Sequence, residues 1–453
     1  MLCRALRISL LFSWLLLLGS RIVLAASSYS PSDFGAVLDG RTNDGPALQR
    51  TIDAAHAAGG GTVHVPAGKR MLTGSFELKS HVTLHLEPGS RLLGSTEKAD
   101  YRNAVLIEAF HAEDIAITGT GTIDGQGITF MAEELPHIFI PKPWRPKVII
   151  FEGCRRVKLQ DFTIRDSPNW TVHLAGCDDV VVHGLTILNN VKIPNCDGIA
   201  PDHSRNVRIS DCHIVAGDDC IVLKNRREYA RYGPCENITV TNCTLVSTSA
   251  ALKIGTETVD DVRNVVFSNC VIRGSHRGLA LVLRDEGSVE NILFQNIVIE
   301  TRLFHPAWWG ASEAIYVSAR PRTPGGKIGQ LRGVRFQQIM ARGEGGVFIE
   351  GSSESIPSDI RLENISIELN QTTDSPRGRV DIRPTGKEET TLEALAGYRI
   401  REVRDVSLVD CTVRWALPKP ANALGLDTGN SADEINLVRF RELHSPLGPA
   451  SSK

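Results

Sequence analysis

The sequence predicts an all-β protein: a single-stranded right-handed parallel β-helix with a short capping helix near its N-terminus. A short phrase of alternating apolar residues recurs nine times along the chain. Second β-rich stretches follow copies of the phrase, and no helical pattern intervenes. Such repeats are typical of a solenoid, because one coil cannot bury its apolar face alone and stacked coils build a continuous core.

The composition is that of a globular protein with a large core. The chain has 453 residues, of which 42% are hydrophobic and 23% charged. Its 50 Lys and Arg residues nearly balance 52 Asp and Glu residues. This balance excludes the broad basic field that drives non-specific nucleic-acid binding, so we expect no nucleic-acid partner.

Residues 1–26 have the pattern of a signal peptide. Arg4 and Arg7 precede an apolar run at residues 8–18, and small residues at 25–26 suit cleavage. We therefore expect a secreted protein, periplasmic or extracellular, that has no membrane contact after signal cleavage. We also expect it to be a monomer. The alternative is an uncleaved anchor, although the apolar run is short for a membrane span. Residues 27–453 are predicted to form one β-helix domain.

A capping helix is predicted at the front of this domain. Pro46 suits a helix start, residues 47–57 have a helical pattern, and glycines at 59–61 end it. Such a cap covers the open end of a solenoid, whose unpaired strand edge would otherwise invite aggregation.

The repeated phrase sets the predicted coils. Its copies begin at Val157, Val180, Val207, Ile238, Val265, Ile292, Val334, Ile360 and Val406. Most intervals are near 27 residues, too short for propeller blades of about 40–50 residues, and a β-sandwich would not repeat one phrase nine times. Two longer intervals of 42 and 46 residues predict insertions on one side of the stack.

Four cysteines share one position of the phrase with isoleucines of other copies. They are Cys212, Cys243, Cys270 and Cys411. Exchange with isoleucine indicates buried apolar packing rather than disulfides or metal ligation. We expect neither a metal site nor a cofactor.

A polar residue directly precedes the cysteine or isoleucine position in each of four copies of the phrase. We interpret these polar residues as turn residues that form hydrogen bonds with the local backbone. They are Asp211, Asn242, Asn269 and Asn296.

Three carboxylates are predicted to converge on one patch. Asp197 precedes a β-rich stretch on one coil as Asp219 does on the next, with Asp218 beside it. Adjacent parallel strands are about 4.8 Å apart. Like charges this close raise one pKa, so that one carboxyl stays protonated while another stays ionised, as glycoside hydrolysis requires. The alternative is that they are ordinary turn residues.

Residues 195–197 (Asn-Cys-Asp) and 217–220 (Gly-Asp-Asp-Cys) resemble the NxD and GDDC motifs of glycoside hydrolase family 28, the polygalacturonase family. The resemblance implies a pectin-lyase-like β-helix enzyme that hydrolyses a galacturonate-containing pectic polysaccharide with inversion. It also implies that Asp218 is the general acid and that Asp197 and Asp219 activate water.

Two departures from the family pattern bear on the substrate. Ala250 replaces the histidine of a Gly-His-Gly motif, and residues 278–283 carry neither charge of an expected Arg-Ile-Lys motif. A polymer that alternates galacturonate with a neutral sugar needs fewer carboxylate clamps. We therefore favour a rhamnogalacturonan-type substrate over plain polygalacturonate.

Six further residues are candidates for substrate binding. The basic side chains are expected to pair with the carboxylate of a uronate, and the tryptophan is expected to stack on a sugar ring. The histidine is expected to border the cleft, roughly 10 Å from Asp218 by strand spacing. They are Asn195, Lys224, Lys253, Arg284, His276 and Trp309. The alternatives are solvated surface charges and a tryptophan that covers the core edge.

Two rival functions remain open on the sequence. A pectate lyase would use the three aspartates to hold Ca²⁺ and would eliminate rather than hydrolyse. A non-catalytic glycan-binding solenoid is the second rival, because the family's histidine and Arg-Ile-Lys charges are missing. An unsaturated product abolished by chelator would identify the first, and binding without turnover the second.

Overall fold

The computed structural model describes residues 27–385, 389–416 and 419–444. The predicted signal peptide lies outside the described residues. Within them, no helix has both the length and the apolar character needed to span a membrane.

One twelve-stranded parallel sheet carries the candidate site. Strands adjacent in this sheet follow one another in the chain. In chain order they are β1 Phe76–Glu77, β2 Val105–Phe110, β3 Lys147–Glu152, β4 Val172–Ala175, β5 Ile199–Asp202, β6 Ile221–Asn225, β7 Ala250–Thr258, β8 Arg277–Leu283, β9 Ile315–Ala319, β10 Val347–Glu350, β11 Ala396–Arg401 and β12 Leu424–Asp427.

A second assembly of parallel strands completes each coil. Its 25 strands are Ser28–Tyr29, Asp39–Asn43, Gly61–Val65, Arg70–Thr73, Val82–Leu86, Arg91–Gly94, Glu113–Gly119, Thr122–Asp124, Arg155–Gln160, Thr163–Arg165, Asp178–His183, Thr186–Leu188, Arg205–Ser210, His213–Ala216, Cys235–Thr241, Thr244–Ser247, Val262–Ser268, Val271–Ser275, Val289–Thr301, Leu331–Gly343, Ser358–Leu369, Arg404–Val409, Thr412–Trp415, Ile435–Val438 and Arg441–His444. Two antiparallel hairpins pair Met131–Glu134 with Phe139–Pro141 and Arg379–Asp381 with Thr390–Leu392.

The repeated phrase sets the stacking of the coils. The nine residues that begin its copies, from Val157 to Val406, pair successively in one unbroken column. Alternate residues of each phrase point inward, where the apolar side chains of successive coils form one core. The predicted right-handed parallel β-helix is thereby confirmed.

The cysteine column lies in this core. Cys212 and Cys243 are each 2% exposed and Cys270 is 1% exposed. The nine described cysteines are all free thiols. Nearby, the rings of Phe267 and Phe294 stack with their centres 4.7 Å apart. The prediction of apolar packing rather than disulfides is confirmed for these residues.

We expect the nine described thiols to resist a thiol reagent such as DTNB until the protein unfolds, because all nine are buried and the reagent cannot reach them. The measurement is the absorbance released before and after denaturant is added, in non-reducing buffer. Rapid reaction of several thiols in the native protein would contradict the packing.

The polar column is a ladder of turn residues. Asn269 and Asn296 have φ of 54° and 56°, in the left-handed region that asparagine tolerates well. The Asn296 side chain donates a hydrogen bond of 2.7 Å to the Asn269 side chain, and Asn242 donates one to Asp211. These residues therefore shape the corners of the coils, as predicted.

The capping helix α1 spans Gly45–Ala57, so it begins two residues before the predicted stretch. Its apolar side chains Leu48 and Ile52 are fully buried. Asp44, just before the helix, accepts hydrogen bonds from the N–H groups of Val37 and Leu38. Short 3-10 helices span Pro31–Phe34, Lys98–Asp100, Gly127–Phe130, Arg227–Tyr232 and Ala432–Glu434.

The two long intervals of the repeat hold insertions that contact each other. The N–H of Gly310 donates a 2.8 Å hydrogen bond to the Asp381 carboxylate, and Arg383 donates a 2.9 Å bond to the carbonyl of Trp308. Arg277, on β8, donates to the carbonyl of Asp381. The insertions are therefore tied to each other and to the face of the twelve-stranded sheet.

Candidate active site

The N-terminal ends of β4 to β8 align five residues in one column: Trp170, Asp197, Asp219, Ala250 and Arg277. Ladder hydrogen bonds join the coils in order: Thr171 N–H to the Asp197 carbonyl, Gly198 N–H to Asp219, and Cys220 N–H to Ala250. Ala250 pairs in turn with Arg277. The predicted placement of Asp197 and Asp219 on neighbouring coils is thereby found in the structure.

A cavity of about 260 Å³ opens over this column. Seven of the nine predicted site residues line it: Asp197, Asp218, Asp219, Asn195, Lys224, Lys253 and Trp309. The structure therefore brings together the three carboxylates and the two nearer basic residues, and it leaves His276 and Arg284 outside.

Asp219 is held by a buried ion pair. Its Oδ2 lies 2.7 Å from the Lys253 ammonium, and its Oδ1 accepts a 3.1 Å hydrogen bond from the N–H of Ala250. Asp219 is 1% exposed and Lys253 6% exposed. Both carboxylate oxygens of Asp219 therefore have partners within the protein.

Lys224 forms the second ionic contact of the cavity. Its ammonium lies 3.0 Å from Glu257 Oε2 and 3.9 Å from Asp197 Oδ2. Burial opposes the charge, but Glu257 and Asp197 together raise the pKa of Lys224 above its usual range. Burial likewise opposes the Glu257 charge, yet Lys224 holds the pKa of Glu257 at about 2. The ammonium also lies 4.9 Å from the centre of the Trp170 ring.

A β-bulge brings Glu257 to Lys224. The register of β6 and β7 pairs Leu223 with Ile254 and then Asn225 with Thr258, so three residues of β7 face one residue of β6. Gly255, within the bulge, has φ of 98°, and a Cβ there would lie 2.2 Å from the carbonyl oxygen of Val282. Only glycine fits this turn of the strand, which redirects Glu257 toward the cavity.

Asp197 and Asp218 both have raised pKa values. Burial and the charge of Asp219 raise the pKa of Asp218 to about 6. Burial and the charge of Asp218 raise the pKa of Asp197 well above its usual range. Asp218 accepts a 3.1 Å hydrogen bond from the N–H of Asn195. The site therefore holds a protonated carboxyl in mildly acidic solution, as a general acid requires.

Arg145 supports the loop that carries Asn195. Its guanidinium donates a 2.7 Å hydrogen bond to the Asn195 side chain and a 2.9 Å bond to the carbonyl of Pro168. Sequence reasoning missed this residue because it lies outside every copy of the repeat. It also missed Trp170, although counting back from Val172 along the paired strands places Trp170 beside Asp197.

His276 does not border the cavity, contrary to expectation. Its side chain is fully buried and its ring centre lies 5.4 Å from that of Phe304. Neither ring nitrogen has a hydrogen-bond partner, and burial lowers the pKa of His276 to about 3. The insertion that contains Gly310 covers it, so we exclude His276 from the proposed site.

Arg284 is a second residue that the structure places elsewhere. It is 1% exposed, and its guanidinium donates to the carbonyl oxygens of Leu283, Ser318, Ile382 and Pro384. These bonds fasten the second insertion to the end of β8. Arg284 therefore holds a loop and does not face a substrate.

Trp308 and Trp309 form the wall opposite the aspartates. Trp308 is 5% exposed, and its Nε1 donates a 3.0 Å hydrogen bond to the carbonyl of His137. Trp309 is half-buried and borders the cavity. Trp308 is thus held by its hydrogen bond to His137, whereas part of the Trp309 ring faces the cavity.

A carboxylate cavity on a parallel β-helix defines a glycosidase-type site, in which one group donates a proton and another activates water. The family Glycosyl hydrolases family 28 matches residues 58–378 of this chain. The match covers more than half of the chain, and the protein belongs to glycoside hydrolase family 28.

Individual relatives agree with this assignment. A probable polygalacturonase of Vitis vinifera is 36% identical over 273 residues, which cover 54% of this chain and 55% of the relative. A probable polygalacturonase of Arabidopsis thaliana is 29% identical over 212 residues, 45% of this chain and 44% of the relative. The chain thus spans about half the length of these relatives.

A solved structure extends the comparison to the fold. The hyperthermoactive exopolygalacturonase of Thermotoga maritima superposes with a TM-score of 0.66 at 26% identity. The superposition covers 76% of this chain and 88% of the other. The β-helix is therefore shared with a polygalacturonase over most of both chains.

Proposed function

We propose that this protein is a secreted, monomeric enzyme that hydrolyses the glycosidic bonds of a galacturonate-containing pectic polysaccharide. The observation that carries the proposal is the meeting of three aspartates in one cavity, with different surroundings. Asp219 is paired with Lys253 at 2.7 Å, whereas burial, together with the charge of a neighbouring aspartate, raises the pKa of Asp218 to about 6 and that of Asp197 well above its usual range.

In the proposed mechanism Asp218 is the general acid. It is the most exposed of the three aspartates and lines the cavity, so its proton can reach the leaving oxygen of a bound sugar. Asp197 and Asp219 orient a water on the other face of the sugar ring, and whichever of the two is ionised accepts its proton. Attack from that face inverts the anomeric centre.

Strand β8, on the C-terminal side of the aspartates, offers no free cation to a uronate. Its residues Ala280 and Val282 are each 1% exposed and pack against Tyr316. Arg277, the nearest cation on this strand, is paired with Glu313 at 3.1 Å. No uncommitted cation of the described residues on β8 faces a sugar at this point, which supports a rhamnogalacturonan-type backbone as the preferred substrate.

The proposal is tested by reducing-end release from rhamnogalacturonan I backbone and from homogalacturonan, with chelator present. Release from the first alone supports both the hydrolase and the substrate preference. Release from homogalacturonan keeps the hydrolase and overturns the preference. No release from either overturns the proposed reaction on pectic backbones.

The two rival functions are less well supported. The ammonium groups of Lys224 and Lys253 already pair with Asp197 and Asp219, two of the three carboxylates that a calcium-dependent lyase would need for its cation. A passive binding protein has no need for a carboxyl with a raised pKa. An unsaturated product would favour the lyase, and tight binding without turnover would favour the binding protein.

Trp309→Ala is expected to raise KM by about 3- to 10-fold and to change kcat little, because the half-buried ring offers stacking area to a sugar. The measurement is steady-state kinetics on the preferred polymer. Trp415→Phe is the matched control, since Trp415 lies in the core near the C-terminus. An unchanged KM in Trp309→Ala would remove this residue from the binding surface.

A further inference from the structure

A second cavity lies on the N-terminal side of the proposed active site. It has a volume of about 440 Å³ and is lined by residues of β2 and β3 together with Arg145, Asn169 and Tyr229. Arg145 also bonds Asn195, which lines the first cavity. The Arg145–Asn195 bond therefore lies between the two cavities.

Lys147 extends the catalytic column into this second cavity. The N–H of Val148 donates to the carbonyl of Trp170, as the N–H of Thr171 donates to Asp197. Lys147 thus occupies, two coils earlier, the position that Asp197 holds in the active site. Two strand spacings place it roughly 10 Å away across the strands, on the same face of the sheet.

The Lys147 ammonium has a fixed position. It lies 3.3 Å from Nδ1 of His173 and 4.6 Å from the centre of the Trp170 ring. His173 Nε2 lies 3.0 Å from Asp202, and both side chains are fully buried. Burial lowers the pKa of His173 to about 4. The neutral ring therefore donates Nε2–H to Asp202 and accepts the Lys147 proton at Nδ1.

Lys147 forms no ion pair with a carboxylate of the described residues. The carboxylates lining the cavity have other partners: Glu108 pairs with Arg102 at 2.7 Å, and Glu152 pairs with Arg231. No carboxylate of the described ranges lies within ion-pair distance of Lys147. Burial lowers the pKa of Lys147 to about 8, so it is protonated in mildly acidic solution.

We propose that Lys147, positioned by His173 and Trp170, binds the carboxylate of a uronate unit that lies next to the unit cleaved at the aspartates. The uronate would supply the carboxylate that the described chain does not. The partly exposed ring of Phe110, which also lines this cavity, offers an apolar face for the sugar. This inference rests on the proposed function and adds a specificity residue to it.

The test measures binding by calorimetry in an Asp218→Asn background, so that no substrate is consumed. The probes are tetragalacturonate, a rhamnogalacturonan tetrasaccharide and the methyl ester of whichever binds more tightly. Lys147→Met is expected to weaken binding of the acidic probe about 10-fold or more and to leave the methyl ester unaffected. Lys147→Arg should recover much of the affinity.

Lys158→Met is the matched control, because Lys158 is exposed on a strand of the other sheet and should change nothing. Equal binding of the acidic probe by Lys147→Met and its parent would overturn this subsite and leave the proposed function standing. Failure of the parent to bind either acidic probe would overturn both proposals together. A loss that extends equally to the methyl ester would also overturn the charge-specific role.

Discussion

Replacing Asp218 with asparagine is expected to lower kcat by about 10²- to 10⁴-fold and to leave KM within a few-fold of its original value. Asparagine keeps the shape of the side chain and can still accept the hydrogen bond from the N–H of Asn195. It has no acidic proton to give to the leaving oxygen. The loss should therefore fall on the chemical step rather than on binding.

Asp211→Asn is the matched control for this variant. Asp211 is exposed in a turn of the same coil, at a position where the next two coils carry Asn242 and Asn269. The control should keep full activity, and circular dichroism should show both variants folded. Full activity in Asp218→Asn would remove Asp218 from the acid role.

The second large effect is expected at Lys253. Its ammonium pairs with Asp219 at 2.7 Å and lowers the pKa of both Asp218 and Asp197 against the effect of burial. Lys253→Met should leave a buried carboxylate without its partner. Breaking such a pair costs about 3–5 kcal/mol of unfolding free energy, measurable by denaturant titration.

The same variant should move the pH profile in a defined direction. A general acid works only while protonated, so kcat of the unmodified enzyme should fall as pH rises through about 6, the pKa of Asp218. Without the Lys253 charge that pKa is higher. The falling limb should therefore shift to higher pH. Lys158→Met, a control at an exposed residue, should not move the falling limb. A shift of the falling limb to lower pH in Lys253→Met would contradict the role of Asp218 as general acid.

Much of the architecture can be predicted from local sequence, because each coil must bury its apolar residues at the same positions as the neighbouring coils. The phrase starting at Val157 and its eight later copies pair in one column. Counting from the phrase also places Asp197, Asp219, Ala250 and Arg277 on adjacent coils, as the structure does.

The residues that sequence reasoning misplaced depend on contacts that are distant in the chain. Arg284 bonds carbonyls of Ile382 and Pro384, about 100 residues away, and no local pattern reveals that pairing. His276 has the predicted position in its coil, but the insertion that contains Gly310 covers it. Arg145 acts from a segment outside the repeat.

The most direct test of the account is proton NMR of the products in the first minutes of a reaction with the preferred polymer. We expect the new reducing ends to be saturated. They should form first as a single anomer, with the configuration opposite to that of the cleaved bond, and should then mutarotate. Initial release of the retained anomer would contradict direct attack by water, and an unsaturated product would contradict hydrolysis itself.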